Sequence, residues 1–245
     1  MFPKNVIQFI LTFFLTMLIC LPIMYFTKND FINKDLGTNL YYICTIVLFI
    51  LIVHVINFVN RKIITYNVEL SNTKFSVFLI LIVWIIQTLF FIPINHYLSK
   101  VIYSFNWFHF WVAIFFAPIF EEIIFRNILL NSLLNKYNIK KSVIISSCLF
   151  GFIHGNILHI IFSTIMGMFF GIIYVKNKNI AYTIILHFCS NMFVFIINFL
   201  VYKFSGTLLF SVCVILNIII SFLLLQNLIK KNNFSILKSI KQIQN

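Results

Sequence analysis

Acidic side chains are almost missing from this sequence of 245 residues: five Asp plus Glu stand against 18 Lys plus Arg, and charged residues of all kinds make up 9%. Soluble domains average about 25% charged residues, so a chain with so few cannot cover its own surface in water. The five cysteines, Cys20, Cys44, Cys148, Cys189 and Cys213, form no Cys-x-x-Cys pair and no secreted-domain spacing, and each sits in an apolar segment. That argues against a disulfide scaffold or a cysteine zinc framework, and they read as small buried hydrophobes. No repeat, Pro-rich linker or low-complexity stretch occurs. The apolar run after Lys4 carries no Ala-x-Ala cleavage site, which predicts a retained first span.

What the chain does have is hydrocarbon, with 62% hydrophobic residues, 32 Phe and a mean hydropathy of +1.04. Apolar runs of about 18 residues or more recur along its length, each able to cross ~30 Å of lipid as a helix. The reading is an all-α, polytopic membrane helical bundle of about eight transmembrane helices, near 6–26, 40–59, 75–95, 107–134, 142–160, 160–175, 179–201 and 207–229. The fourth run would be ~42 Å of helix and must tilt, break or extend past the bilayer. Gly155 and Asn156 are the only break between Val143 and Val175, which predicts a tight turn there. Of the 18 basic residues all but Arg126 lie between or beyond these runs, 13 on one side and 4 on the other. They act as topology anchors and not as a nucleic-acid surface, and they predict a multi-pass cell-membrane protein with both termini cytoplasmic. The stretch from Lys230 to Asn245 is expected to rest on anionic lipid.

An ionisable group at membrane depth costs several kcal/mol unless it is paired or functional. Asp30, Asp35 and Glu69 fall in loops, which leaves Glu121 and Glu122 in the fourth span as the acids within lipid. Arg126 follows Glu122 by four residues and shares its helical face, so the two can neutralise each other. Glu121 points about 100° away and has no partner in its own helix. The histidines and amides of other spans are the candidates: His154 after Phe150 in the fifth span, and His187 with Asn191, at i and i+4, in the seventh. Counted inward from the cytoplasmic ends, Glu121, His154 and Asn191 lie ~18–20 Å deep and His187 ~12 Å, one layer shared by three helices.

These three elements, Glu121-Glu122-x-x-x-Arg126, Phe150-x-x-x-His154 and His187-x-x-x-Asn191, resemble in order and spacing the CPBP family of intramembrane proteases. That family includes the type II CAAX prenyl endopeptidases and bacteriocin-processing or self-immunity proteins. The resemblance covers about residues 107–200, including Ser146 and Ser147 ahead of Leu149, Phe150 and Gly151; Asn127 departs from it, standing where many members have Gly. It divides the chain into N-terminal spans (1–106), a catalytic helical core (107–201) and a last span with a basic tail (202–245). It implies hydrolysis of a peptide bond of a membrane-associated protein or peptide precursor. In that reading Glu121 and His154 activate water, His187 and Asn191 stabilise the oxyanion, and Glu122, Arg126 and Phe150 support them. Two arrangements stay open: direct activation by glutamate and histidine without a cofactor, or a Zn2+ ion held by Glu121, His154 and His187. The family is often described as metalloproteases, yet no His-Glu-x-x-His is present and Asn is a poor zinc ligand.

Other residues have plainer roles. His54, His96, His109 and His159 are read as structural or interfacial, and Gly151, Gly155, Gly167 and Gly171 as permitting close helix packing. Trp84, Trp107, Trp111 and many of the tyrosines are read as interfacial belt or lipid-facing bulk. No Asp falls in a span, which excludes an intramembrane aspartyl protease, and no GxSxG-like nucleophile marks a rhomboid-type serine protease. The alternatives are a catalytically silent membrane scaffold or immunity protein, and a proton-coupled transporter, against which stands the lack of an inverted repeat.

Overall fold

The computed structural model describes residues 2–28, 33–60, 73–88, 107–155 and 157–204, with isolated positions between 212 and 223. The span expected at 207–229, the basic tail, His96, Asn156 and Cys213 lie wholly or mainly outside the described residues. Among the described residues there are seven helices and no strand: α1 (Val6–Lys28), α2 (Lys34–Val59), α3 (Thr73–Ile86), α4 (Trp107–Leu134), α5 (Ile139–Phe152), α6 (Ile157–Asn177) and α7 (Ile180–Phe204). The fold is a polytopic helical membrane bundle. Five of these helices are long and apolar enough to cross a bilayer: α1, α2, α4, α6 and the stretch Ile180–Ile197 of α7. Helix α5 stops at Phe152 and not near 160; its 14 residues make ~21 Å, short of the hydrocarbon thickness. Gly155 provides the reason, adopting φ +70° in the turn before α6. Its role is therefore the turn, not close packing, and a Cβ there would meet nothing within 4 Å.

Helix α4 runs without a break through all 28 residues, but twice it leaves α-geometry, over Val112–Phe116 and Ile123–Leu130, where it is π-helical. Pro118 accounts for the first widening. It has no N–H to donate, and its ring crowds the carbonyl four residues earlier, so the turn ahead of it opens and Ala117 N–H donates to Val112 O instead. Glu121 and Glu122 close the short α-helical piece between the two widened stretches.

By internal contacts the chain forms two units, Met1–Leu70 with Asn106–Ile185, and Ser71–Phe105 with Leu186–Asn245. The first has a core of Phe9 (α1), Ile46, Phe49 and Val53 (α2), Ile124, Phe125, Ile128, Leu129 and Leu133 (α4) and Phe150 (α5). Phe9 meets Phe49 edge-on at 5.3 Å, and Phe125 meets Phe150 in the same way at 5.3 Å, so one aromatic chain crosses four helices. At one end of this unit Asn57 exchanges hydrogen bonds with the backbone of Phe2, and Ser132 donates to Pro3 O. The N-terminal segment and the C-terminal ends of α2 and α4 thereby meet. Helices α5 and α6 approach closely at small residues: a Cβ on Gly151 would stand 2.6 Å from Ile160 O, and one on Gly167 3.0 Å from the Phe150 ring. The second unit contains α3 and most of α7. Gln87, just past α3 and fully buried, donates to Ser190 Oγ of α7 at 2.5 Å.

Four cysteines are described, all as free thiols. Cys20 is buried and Cys44 and Cys189 are half-buried, but Cys148 is exposed on α5, correcting the expectation of burial. The polar neighbours Ser146 and Ser147 take the inward face of that helix, which turns Cys148 outward.

Candidate active site

Within the first unit the structure joins Glu122, Arg126, Phe150 and His154. Arg126 Nε lies 3.1 Å from a carboxylate oxygen of Glu122, both side chains fully buried. Neither Nη nitrogen of Arg126 has an acceptor among the described residues; the guanidinium lies instead over Phe150 (4.7 Å to the ring centroid) and near Phe170 of α6 (5.9 Å). Both Glu122 and Glu121 act electrostatically on the guanidinium, Glu122 the more strongly. Phe150 carries the arrangement on to His154, whose ring it meets at 5.1 Å.

His154 stands in the turn after α5, half-buried, with Nδ1 2.9 Å from Phe150 O. A carbonyl only accepts, so Nδ1–H is the donor of this bond, and Nε2 is the ring nitrogen it leaves uncommitted. The four-residue spacing of Phe150 and His154 thus has a concrete use: the Phe carbonyl and the Phe ring together orient the imidazole. Ser146 Oγ donates to Phe125 O at 2.9 Å, tying α5 to the widened stretch of α4. Asn127 packs against α6, where Tyr174 donates to its Oδ1 at 3.0 Å and receives a bond from Asn131 at 2.7 Å.

Glu121 is 6% exposed, and its carboxylate accepts a hydrogen bond from the hydroxyl of Tyr42 on α2. Tyr42 is therefore not one of the tyrosines that serve as belt or lipid-facing bulk. Nothing local announces it, because the two residues are 79 positions apart. The adjacent Tyr41 points elsewhere, towards Met17 O of α1 at 3.4 Å. Trp107 and Trp111 do lie exposed, at 67% and 49%.

His187 and Asn191 lie in the second unit, four residues apart on one face of α7, His187 buried and Asn191 half-buried. Ser190, between them, is the acceptor of Gln87, a second residue the sequence did not single out. Of the histidines read as structural, His54 bonds Ile50 O of its own helix at 2.8 Å, and His109 lies 3.3 Å from Asn39 Oδ1. His159 is exposed on α6. Among the described residues no group of three or more His, Cys, Asp or Glu is disposed to hold a metal ion.

Residues 103–193 match the model of a protein family described as type II CAAX prenyl endopeptidase Rce1-like. A curated relative from Bacillus subtilis (strain 168), named "Putative membrane peptidase YdiL", is 39% identical over 82 residues, which are 34% of this chain and 34% of that protein. The match therefore spans about a third of the relative's length. No solved structure matches the chain.

Proposed function

Because residues 103–193 match the Rce1-like model of type II CAAX prenyl endopeptidases, we propose that the chain is an intramembrane endopeptidase of the CPBP type. It cuts a peptide bond of a membrane-associated protein or of a peptide precursor such as a pheromone or bacteriocin, or acts in self-immunity against one. The observation that carries this reading is a buried carboxylate, Glu121, set beside a fully buried ion pair that leads through Phe150 to a histidine whose ring is oriented by the Phe150 carbonyl.

In the proposed reaction a water held between Glu121 and His154 Nε2 gives a proton to the carboxylate as its oxygen attacks the carbonyl carbon of the substrate. The oxyanion receives hydrogen bonds from His187 and Asn191, each typically worth about 3 kcal/mol. The tetrahedral intermediate then collapses, the C–N bond breaks, and the proton passes from Glu121 or His154 to the leaving nitrogen. Glu122 and Arg126 take no proton; they keep α4 in its widened form. The protein is proposed to sit in the cell membrane with both termini cytoplasmic, so tags at residues 1 and 245 should both be shielded from an external protease in intact cells.

The test is comparative peptidomics of cells carrying the wild-type chain or Glu121→Gln. Peptides released by the first and missing from the second are expected. Identical peptide profiles would remove the peptidase reading and leave a scaffold or transporter.

A further inference from the structure

The two ends of the first unit differ in charge. Lys28 at the end of α1 and Lys34 with Asp35 at the start of α2 occupy one of them. The other carries Lys4, Lys136, Lys140, Lys141 and Lys178, all exposed, while the remaining acids among the described residues, Glu121 and Glu122, lie within α4. We propose that this second end is a docking surface for anionic phospholipid, with Lys136, Lys141 and Lys178 holding the headgroup phosphate. The inference stands whether or not the chain cuts peptides.

Three observations carry it. First, the lysines belong to one face. Leu130 near the end of α4, Val143 at the start of α5, Tyr174 near the end of α6 and Ile180 at the start of α7 form one buried cluster, so the loops 135–138 and 178–179 cap the same hydrocarbon. Pro3 O, held by Ser132 near the end of α4, brings Lys4 to that end as well. Second, the ammonium groups are held in place. Nζ of Lys141 and of Lys136 lie 4.5 and 5.6 Å from the centroid of the Tyr137 ring, and Nζ of Lys178 lies 5.8 Å from that of Tyr174. A ring face steadies a cation without neutralising it, so each charge stays available to an anion. The amides nearby are engaged locally: Asn138 caps α5 at Lys141 N–H, Asn177 donates to Ile173 O and Asn179 receives from Ala181 N–H, each at 2.9 Å. Third, Lys178 sits at φ +52° in the turn after α6, its N–H on Tyr174 O at 2.7 Å. Glycine takes that conformation freely and lysine does not, so the backbone does not account for a lysine there.

Depth selects the ligand. Lys136 follows the spanning helix α4 by two residues and Lys178 stands between the spans of α6 and α7, which puts the ammonium groups at the level of headgroup phosphates. Ile139, 37% exposed between Lys136 and Lys140, offers the acyl region an apolar contact. A soluble acidic partner has no use for either feature. For the test, the full-length chain is purified in neutral detergent and titrated, at constant ionic strength, with acyl-labelled phosphatidylglycerol or phosphatidylcholine. The variants are Lys136→Gln/Lys141→Gln, Lys178→Gly and, at the opposite end, Lys28→Gln/Lys34→Gln, each with its unfolding midpoint. Inorganic phosphate, glycerol phosphate and polyglutamate serve as competitors.

Wild type is expected to bind phosphatidylglycerol in preference to phosphatidylcholine. Lys178→Gly is expected to weaken that binding about fivefold and Lys136→Gln/Lys141→Gln about 25-fold, while Lys28→Gln/Lys34→Gln stays within about twofold of wild type. The unfolding midpoint of Lys178→Gly in lipid-free detergent is expected not to fall, since glycine accepts the left-handed conformation. Equal binding of the two lipids, or equal losses at the two ends, overturns the proposal, as does a loss that follows only the fraction of unfolded protein. So does displacement of the lipid by inorganic phosphate or glycerol phosphate, which makes the surface one for free phosphate. Displacement by polyglutamate also overturns it and makes the surface one for an acidic protein segment.

Discussion

The two faces of α4 carry adjacent carboxylates in opposite circumstances. Towards α5 and α6, Glu122 is fully buried and compensated by Arg126 from its own helix, whose guanidinium is covered by Phe150 and Phe170. Towards α2, Glu121 keeps 6% exposure and is met by a neutral donor from a distant part of the chain. Glu122 is thus matched by a full opposite charge from its own helix, whereas Glu121 receives a hydrogen bond from a neutral phenol of another helix. The difference teaches that burial alone does not identify a catalytic acid. In the proposed reaction the more deeply buried of the two glutamates is the structural one.

The comparison can be broken at the Glu122 face first. Glu122→Gln strands Arg126 as an uncompensated buried charge and is expected to destabilise the protein by about 3–5 kcal/mol, measured as a fall in unfolding midpoint and in membrane-extracted yield. Should that variant be stable but inactive, the roles of the two carboxylates are exchanged. Phe150→Ala removes the ring under the guanidinium and beside His154, at an expected cost of about 3–5 kcal/mol, with the further result that His154 loses its edge contact. Smaller effects sharpen the contrast. Tyr174→Phe deletes two hydrogen bonds on this face and Ser146→Ala one, at expected costs of about 2 and about 1 kcal/mol, with the cleavage rate per folded molecule unchanged. A change in turnover without a change in stability for either would show that the α5 and α6 face is not purely supportive.

How much of this was legible depends on the distance over which each interaction acts. The pairing of Glu122 with Arg126 is written in a spacing of four on one helix, and the positions of α1, α2, α6 and α7 follow from apolar runs long enough to span lipid. The early end of α5 was hidden because apolar residues continue through the turn; only Gly155, with its positive φ, marks it. The π-helical stretches were hidden for a related reason. Widening a turn leaves the apolar pattern intact, and Pro118 was the one residue that signalled the first of them. The bonds of Tyr42 with Glu121 and of Gln87 with Ser190 join residues 79 and 103 positions apart. A tyrosine in a lipid span has the same composition whether its hydroxyl faces headgroups or a buried carboxylate, so no local pattern distinguishes the two.

The account turns on the division of labour between the adjacent glutamates, and the most direct measurement is the initial rate of peptide release by Glu121→Gln at equal amounts of folded protein. The substitution keeps the size of the side chain and an oxygen for Tyr42 to bond, and it removes the base. The account predicts a rate lower by about 10²–10⁴-fold, the usual contribution of a general base, with the unfolding midpoint unmoved. Release at the wild-type rate would contradict it.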